Sequence, residues 1–294
     1  MQCQVFNLKK TIMGKEIIRI LNLLFINLFL LSCSSKEDSL TKGNLKGEVK
    51  SVRESFYYNP TERFGEVEKG PLSSVKIYNY EKNGNMKERI KYDKDGYMTS
   101  KIIYHYDSNG NMKEEISYNR DRSLRSKKVY KYNEKGEMIE EIHSDEESVY
   151  VKFFLKYDDS GNLIELTAYS IDEPFGDLPN IREMSKYDRD GNRIELKAYN
   201  REEVSFRNTY NYDYKGNMIE FTQYEDDGYV NVKKKYNYDH NGNMIEENSY
   251  VGDNLSHMIK YNYEYDKEGN WTSKSKSVNE GAPSQLIERE IEYY

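Results

Sequence analysis

From Val49 onward, apolar and polar residues alternate with a period of two, in short runs broken by Asp, Asn and Gly. In one such run Val230, Val232, Tyr236 and Tyr238 fall on one side, and Lys233, Lys235 and Asn237 on the other. Strict alternation in runs rich in Tyr, Val, Ile and Thr is the pattern of half-buried β-strands. The breaks recur as Asp-x-x-Gly-Asn, with Gly at 84, 110, 136, 161, 191, 216, 242 and 269, the exceptions being Glu81 and Asn133 in place of Asp and Glu137 in place of Asn. Asp closes such a turn through its own side chain, and Gly supplies the positive φ that a hairpin bulge requires. A looser turn, such as Asp93-Lys94-Asp95-Gly96 or Asp226-Asp227-Gly228, falls about midway between Gly positions. Each repeat of about 26 residues therefore predicts two strands and two turns. Eight repeats give about 16 strands, and Val49 to Tyr58 with Ser73 to Tyr80 add a starting hairpin.

The columns of the repeat are regular. Four residues before each Gly stands a Tyr: 80, 106, 132, 157, 187, 212, 238 and 265. Four after it stands Glu in every unit but the last, where Ser273 replaces it. A bulge at Gly242 would set Tyr238 opposite Met244 and Tyr236 opposite Glu246, placing that Glu within reach of a facing Tyr hydroxyl. The residue three after Gly is Ile at 139, 164, 194, 219 and 245, but Lys87, Lys113 and Thr272 in the outer units. The second face is thus apolar only in the middle. The expected fold is all-β, an antiparallel meander of hairpin repeats forming a long curled sheet or half-shell, with a flat ribbon as the alternative. The segment Ile171 to Asn180 is an insertion that would cover the middle or form a lip. A solenoid-like array predicts additive stability, so that loss of one repeat shortens the protein without unfolding it.

Tyr-x-Tyr-Asp-x-x-Gly-Asn-Met/Leu resembles the YD repeats of the RHS family over roughly residues 75–270, most of the chain. The resemblance implies a β-sheet shell, and a family linked to carbohydrate binding and toxin delivery. The chain is far shorter than a closed RHS cocoon. It also lacks that family's autocleavage core and a toxin-like C-terminal domain, so only the repeat architecture carries over.

The N-terminus has a different pattern. Lys9, Lys10, Lys15 and Arg19 precede an apolar run from Ile20 to Leu31. That run is too short for the ~20 residues of a membrane span, and its basic prelude is that of a secretory signal peptide. Met13 offers an alternative start. Leu30-Leu31-Ser32-Cys33 resembles the lipobox of bacterial lipoproteins, which implies cleavage before Cys33 and lipid on its sulfur. The expected organisation is a signal peptide over 1–32, a lipidated Cys33 with a flexible tether over 33–46, and one β-repeat domain over 47–294. The other of the two cysteines, Cys3, lies in the segment to be removed, so disulfides would not staple the mature domain. Lys36-Glu37-Asp38 resembles the charged surface-export signal of some Gram-negative lipoproteins. The expected location is the outer membrane, lipid-anchored and surface-exposed in a Gram-negative bacterium.

Composition narrows the function. Lys and Arg number 44 against 51 Asp and Glu, a net charge of −7, which disfavours nucleic acid as a partner. The 29 tyrosines argue against disorder. No nucleotide-binding, hydrolase-elbow or zinc-protease motif occurs. The histidines at 105, 143, 240 and 257 read as isolated and solvent-facing. Asp93-Lys94-Asp95-Gly96 and Asp188-Arg189-Asp190-Gly191 mimic only the start of a calcium loop. Catalytic residues, metals and cofactors are therefore not expected. Stacked Tyr side chains are the candidate ligand face, with Tyr187, Tyr212, Tyr236 and Tyr238 as its members, and they suit a glycan or a protein. The favoured reading is a non-enzymatic, lipid-anchored binding or structural module. The alternative is an accessory or immunity partner of an RHS-type toxin system.

Overall fold

A computed structural model describes residues 39–64, 66–170 and 179–294. Cys33, the signal segment and most of the 171–180 insertion lie outside the described residues. A single helical turn, α1 (Ser39–Lys42), leads into β1 (Val49–Tyr58). A small separate hairpin follows, β2 (Thr61–Arg63) and β3 (Glu66–Glu68), and then β4 (Leu72–Tyr80). The repeats supply β5 (Met86–Asp93), β6 (Met98–Tyr106), β7 (Met112–Tyr118), β8 (Leu124–Tyr132), β9 (Met138–Ser144) and β10 (Val149–Tyr157). They continue with β11 (Leu163–Ser170), β12 (Ile181–Tyr187), β13 (Arg193–Asn200), β14 (Glu203–Tyr212) and β15 (Met218–Glu225). The last five are β16 (Val230–Tyr238), β17 (Met244–Val251), β18 (Asn254–Tyr265), β19 (Trp271–Val278) and β20 (Pro283–Tyr293).

Apart from β2 and β3, these strands form one 18-stranded antiparallel sheet, each strand paired with the next along the chain. The sheet does not stay open. β1 pairs with β4 on one side and with β20 on the other, Ser55 facing Val75 and Glu288. The expected curled sheet or half-shell is therefore a closed barrel. Closure removes the two long unpaired edges that an open meander would expose. A sheet this wide also accumulates too much twist to remain open. The solenoid analogy fails for the same reason, because the first and last strands share one interface.

The turns form as their residues dictate. In the unit around Gly110, the Gly amide donates to the Asp107 carbonyl at 3.0 Å, and the Asp107 amide to the Asn111 carbonyl at 2.9 Å. Asp107 Oδ1 accepts from the Asn109 and Asn111 amides, and Oδ2 from the Asn111 side chain. Gly110 sits at φ +79°, a conformation L-residues adopt at a cost.

The register differs from expectation by one residue. Tyr238 faces Met244 as expected, but Asn237 faces Glu246 and Tyr236 faces Glu247. The extra residue is Ile245, and the same shift recurs in the other repeat hairpins, as at Tyr106 and Tyr212. A bulge flips every later side chain to the other face. Tyr236, Tyr238 and Glu247 therefore face inward, and Glu246, Asn248 and Tyr250 outward. The Glu column does not meet a tyrosine. It meets the Lys or Asn between the two tyrosines of the facing strand, as in Lys131–Glu140 at 2.6 Å and Lys156–Glu165 at 2.9 Å. The Ile column occupies the bulges, where its five members are 36–40 % exposed.

Three buried clusters line the inner face. One centres on Phe153, Leu155 and Leu166, one on Leu196, Ala198 and Tyr210, and one on Val49, Val52 and Tyr80. The third is closed by Leu40 and Leu45, so residues 39–46 of the expected tether pack on the barrel. The Lys46 amide donates to Asn270 Oδ1, and Asn270 Nδ2 donates back to the Lys46 carbonyl, both at 2.8 Å. Between the clusters the inner face stays wet. Arg89 faces inward opposite Tyr78 and is exposed, as is Lys91 opposite Lys76.

Candidate functional site

The alternation of each strand carries Tyr187, Tyr212, Tyr236 and Tyr238 to the inner face of β12, β14 and β16. Their hydroxyls divide into two kinds. Those of Tyr187, Tyr212 and Tyr238 donate to the backbone carbonyls of Leu163, Arg193 and Met218, each at 2.8 Å. The same bond, one repeat back, is made by Tyr106, Tyr132 and Tyr157 at 2.8–2.9 Å. Burial pushes the phenols of Tyr212 and Tyr238 up to about 12. Tyr236 is 8 % exposed beside Glu247. The structure thus brings the four residues to one inner face and commits three of their hydroxyls to the backbone. Tyr187, Tyr212 and Tyr238 stay partly exposed, whereas Tyr236 is buried.

A second inner feature lies where the ring closes. A cavity of about 330 Å³ sits under α1, among Leu45, Val52, Glu54, Tyr78, Tyr104 and Arg289. Arg289 donates from Nε and Nη2 to Glu54 Oε1, at 3.0 and 2.9 Å. The Tyr78 hydroxyl donates to Glu54 Oε2 at 3.0 Å. The guanidinium lies 3.3 Å from the centre of the Trp271 ring, a planar stack that an Arg can make and a Lys cannot. Its remaining nitrogen, Nη1, is buried without a hydrogen-bond partner. A buried donor left unsatisfied costs about 1–3 kcal/mol. The hydroxyls of Tyr80 and Tyr104 also line this region, and burial pushes the Tyr80 phenol up to about 12.

Sequence reasoning missed this group because Glu54 and Arg289 are separated by 235 positions and meet only on closure. One signal was present. Trp271, the single tryptophan, replaces the Met or Leu that follows most of the repeat glycines.

Two further ionisable groups face inward. His143, expected in solvent, is 2 % exposed and packs against Phe153 with ring centres 5.0 Å apart. Its Nε2 lies 2.5 Å from Glu141, which Lys128 also approaches at 3.5 Å. Burial alone would raise the Glu141 carboxyl, but His143 and Lys128 outweigh it and hold it below the usual range. Glu183 is 8 % exposed between Leu166 and Ala198. Burial pushes its carboxyl up to about 7, against the opposing pull of Arg193. Among the described residues no group of three or more His, Cys, Asp and Glu side chains could hold a metal ion. What the interior offers is aromatic faces and, at the seam, a cavity lined by tyrosines and the Glu54–Arg289 pair, the mixture of apolar surface and a few polar groups found in binding sites.

No protein-family model matches the chain, and no curated protein matches it either. Among solved structures it is similar to a porin-like protein from Bacteroides uniformis, with 10% identity over 84% of this chain and 98% of that one, and a TM-score of 0.43. A porin-like protein from Bacteroides vulgatus is similar over the same shares, with 12% identity and a TM-score of 0.36. The complex TcdB2-TccC3-Cdc42 is similar at 12% identity over 74% of this chain and 15% of that one, with a TM-score of 0.36. At these scores the likenesses carry no argument about function, which rests on the chain's own residues.

Proposed function

We propose that the protein is a non-enzymatic, lipid-anchored β-barrel that stands in water at the outer surface of a Gram-negative cell and binds a ligand inside the barrel. The observation that carries this reading is the chemistry of the outer wall. A barrel that crosses a bilayer shows the lipid an apolar band about 25 Å tall, and an outward Lys or Arg at its centre costs about 2–4 kcal/mol. Here outward Glu–Lys pairs recur from strand to strand. They include Glu88–Lys101 at 2.7 Å, Glu140–Lys131 at 2.6 Å, Glu165–Lys156 at 2.9 Å, Glu195–Lys186 at 2.8 Å and Glu220–Lys233 at 3.5 Å. Such a wall suits water and leaves attachment to the lipid on Cys33. Among the described residues no helix is long and apolar enough to cross a membrane.

The test uses the full chain and its Cys33→Ala variant with a labelled lipid precursor, followed by fractionation and protease treatment of intact cells. The expected result is label and membrane attachment on the wild type only, a variant that is soluble without detergent, and loss of the wild-type protein on protease treatment. A Cys33→Ala barrel that still requires detergent would overturn the water-facing reading.

A further inference from the structure

On the outer wall, lysines find glutamates. On the inner wall at the seam they do not. One cross-strand row runs from β5 to β20, with Lys91 facing Lys76, Lys76 facing Glu54, and Glu54 facing Arg289. Arg89 stands in the next row, opposite Tyr78. On β19, Lys274 and Lys276 face inward opposite Ile287 and Gln285. That is six cations to two carboxylates, Glu54 and Asp93, in a chain whose net charge is −7. Glu54 is already taken by Arg289 and Tyr78, and Asp93 by the amides of its own turn and by Arg120.

Lys76 and Lys91 lie directly across from each other, an arrangement that destabilises a sheet. Lys76 and Lys274 rest on aromatic faces instead of acids. The Lys76 amine is 4.4 Å from the Phe56 ring, and the Lys274 amine 4.3 Å from Tyr261 and 5.3 Å from Tyr263. Burial lowers both amines, which gives each a further reason to welcome a negative charge. The row ends at Arg289, which with Glu54 lines a cavity with room for one ring at the lower limit of small-molecule sites, while the other five cations stand on the inner wall outside that lining. Beside it stand the hydroxyls of Tyr80 and Tyr104 and the apolar faces of Val52 and Leu45.

From this geometry we propose that the inner wall at the seam binds a ring-sized organic anion of the sugar-acid class. The carboxylate is held by Arg289 and the neighbouring cations, and the ring by the tyrosines. The proposal rests on the reading that the barrel interior is a binding site, and adds the charge of the ligand.

Trp271 reports on the site directly, because it is the single tryptophan and Arg289 stacks on it. Glucuronate, glucose and inorganic phosphate are each titrated into the full chain at low salt, with Trp271 emission as the readout. The expected result is a saturable change with glucuronate, and binding at least about tenfold weaker for glucose and for phosphate, equivalent to about 1.4 kcal/mol. Lys91→Gln and Arg89→Gln remove exposed cations that make no ion pair among the described residues, so Arg89→Gln should keep the wild-type unfolding midpoint and Lys91→Gln, which also relieves the Lys76–Lys91 repulsion, should not lower it. Each should weaken glucuronate about two- to fivefold, the range of one exposed charge contact. Glucose binding as tightly as glucuronate would overturn the charge assignment and leave interior binding standing. Phosphate binding as tightly would overturn the sugar-acid class. Silence from all three in folded protein would overturn the proposal together with the interior-binding reading beneath it.

Discussion

The hydroxyl of Tyr212 donates to the backbone carbonyl of Arg193, 2.8 Å away and one repeat earlier. Tyr132 does the same to Met112, Tyr187 to Leu163 and Tyr238 to Met218. Each bond crosses from one hairpin to the hairpin before it. The tyrosine column is therefore a set of ties between repeats, in addition to the strand ladders. Replacing Tyr212 by Phe keeps the ring and removes the tie. We expect a loss of about 1 kcal/mol, the usual net value of one hydrogen bond, read as a lower denaturant midpoint. Tyr→Phe changes at two distant repeats should add.

The turn glycines make a second prediction. A Cβ built at Gly110 meets no heavy atom within 4 Å, so space is not the constraint. The φ of +79° is. Gly110→Ala should therefore destabilise by about 1–2 kcal/mol through backbone strain alone. Gly110→Asn should cost less, because Asn tolerates the left-handed region. The chain itself uses Asn there, at Asn59 and Asn279 with φ of 48° and 50°. Equal unfolding midpoints for Gly110→Ala and wild type would contradict the turn assignment.

Glu183 gives the barrel a pH dependence of definite sign. Its carboxyl is raised from 4.5 to about 7 by burial. Below pH 4.5 it is neutral in both the folded and the unfolded chain. Between that value and about 7 the unfolded chain releases the proton and the folded barrel keeps it. The stability contributed by the neutral form is thus lost as pH rises through this window, by up to about 1.4 kcal/mol per unit. Glu183→Gln should remove that slope and leave the variant more stable than wild type at pH 8. A wild type and variant with parallel pH profiles would contradict this environment for Glu183.

Much of the molecule was legible from local chemistry. Period-two alternation and the Gly turns located β1 and the sixteen strands from β4 to β19, but not the last strand of the sheet, β20. Closure was not legible, because no local pattern tells Ser55 that it will face Glu288. It follows from strand number and accumulated twist. The one-residue shift at Ile245 was missed because a glycine turn and a bulge one step later look alike in sequence, yet they put Glu246 and Glu247 on opposite walls. The cluster at Glu54, Arg289 and Trp271 depends on closure and was hidden with it.

A closed ring also changes what a deletion does. Removing residues 188–212 takes out β13 and β14 and joins Tyr187 to Asp213, preserving the local Tyr-Asp phrase. A solenoid would lose one repeat's share of stability. A barrel must close on a smaller circumference with strand tilt and register readjusted together. We expect the deletion to lower the unfolding midpoint far beyond one repeat's share, in a single cooperative transition seen equally by tryptophan emission and circular dichroism. Proportional loss would favour an open array.

The most direct measurement of the central claim, that the first strand closes the barrel against the last, is a cross-link. In a Cys3→Ala, Cys33→Ala background, Ser55→Cys and Glu288→Cys place two thiols directly across β1 and β20, where paired strands bring Cα atoms within disulfide range. Asn211→Cys with Glu220→Cys is the control within one hairpin, where Asn211 and Glu220 face each other. The account predicts that both pairs oxidise to intramolecular disulfides in the folded protein, with faster migration on non-reducing gels. A control pair that cross-links while the 55–288 pair stays reduced would contradict it, and would return the molecule to an open sheet.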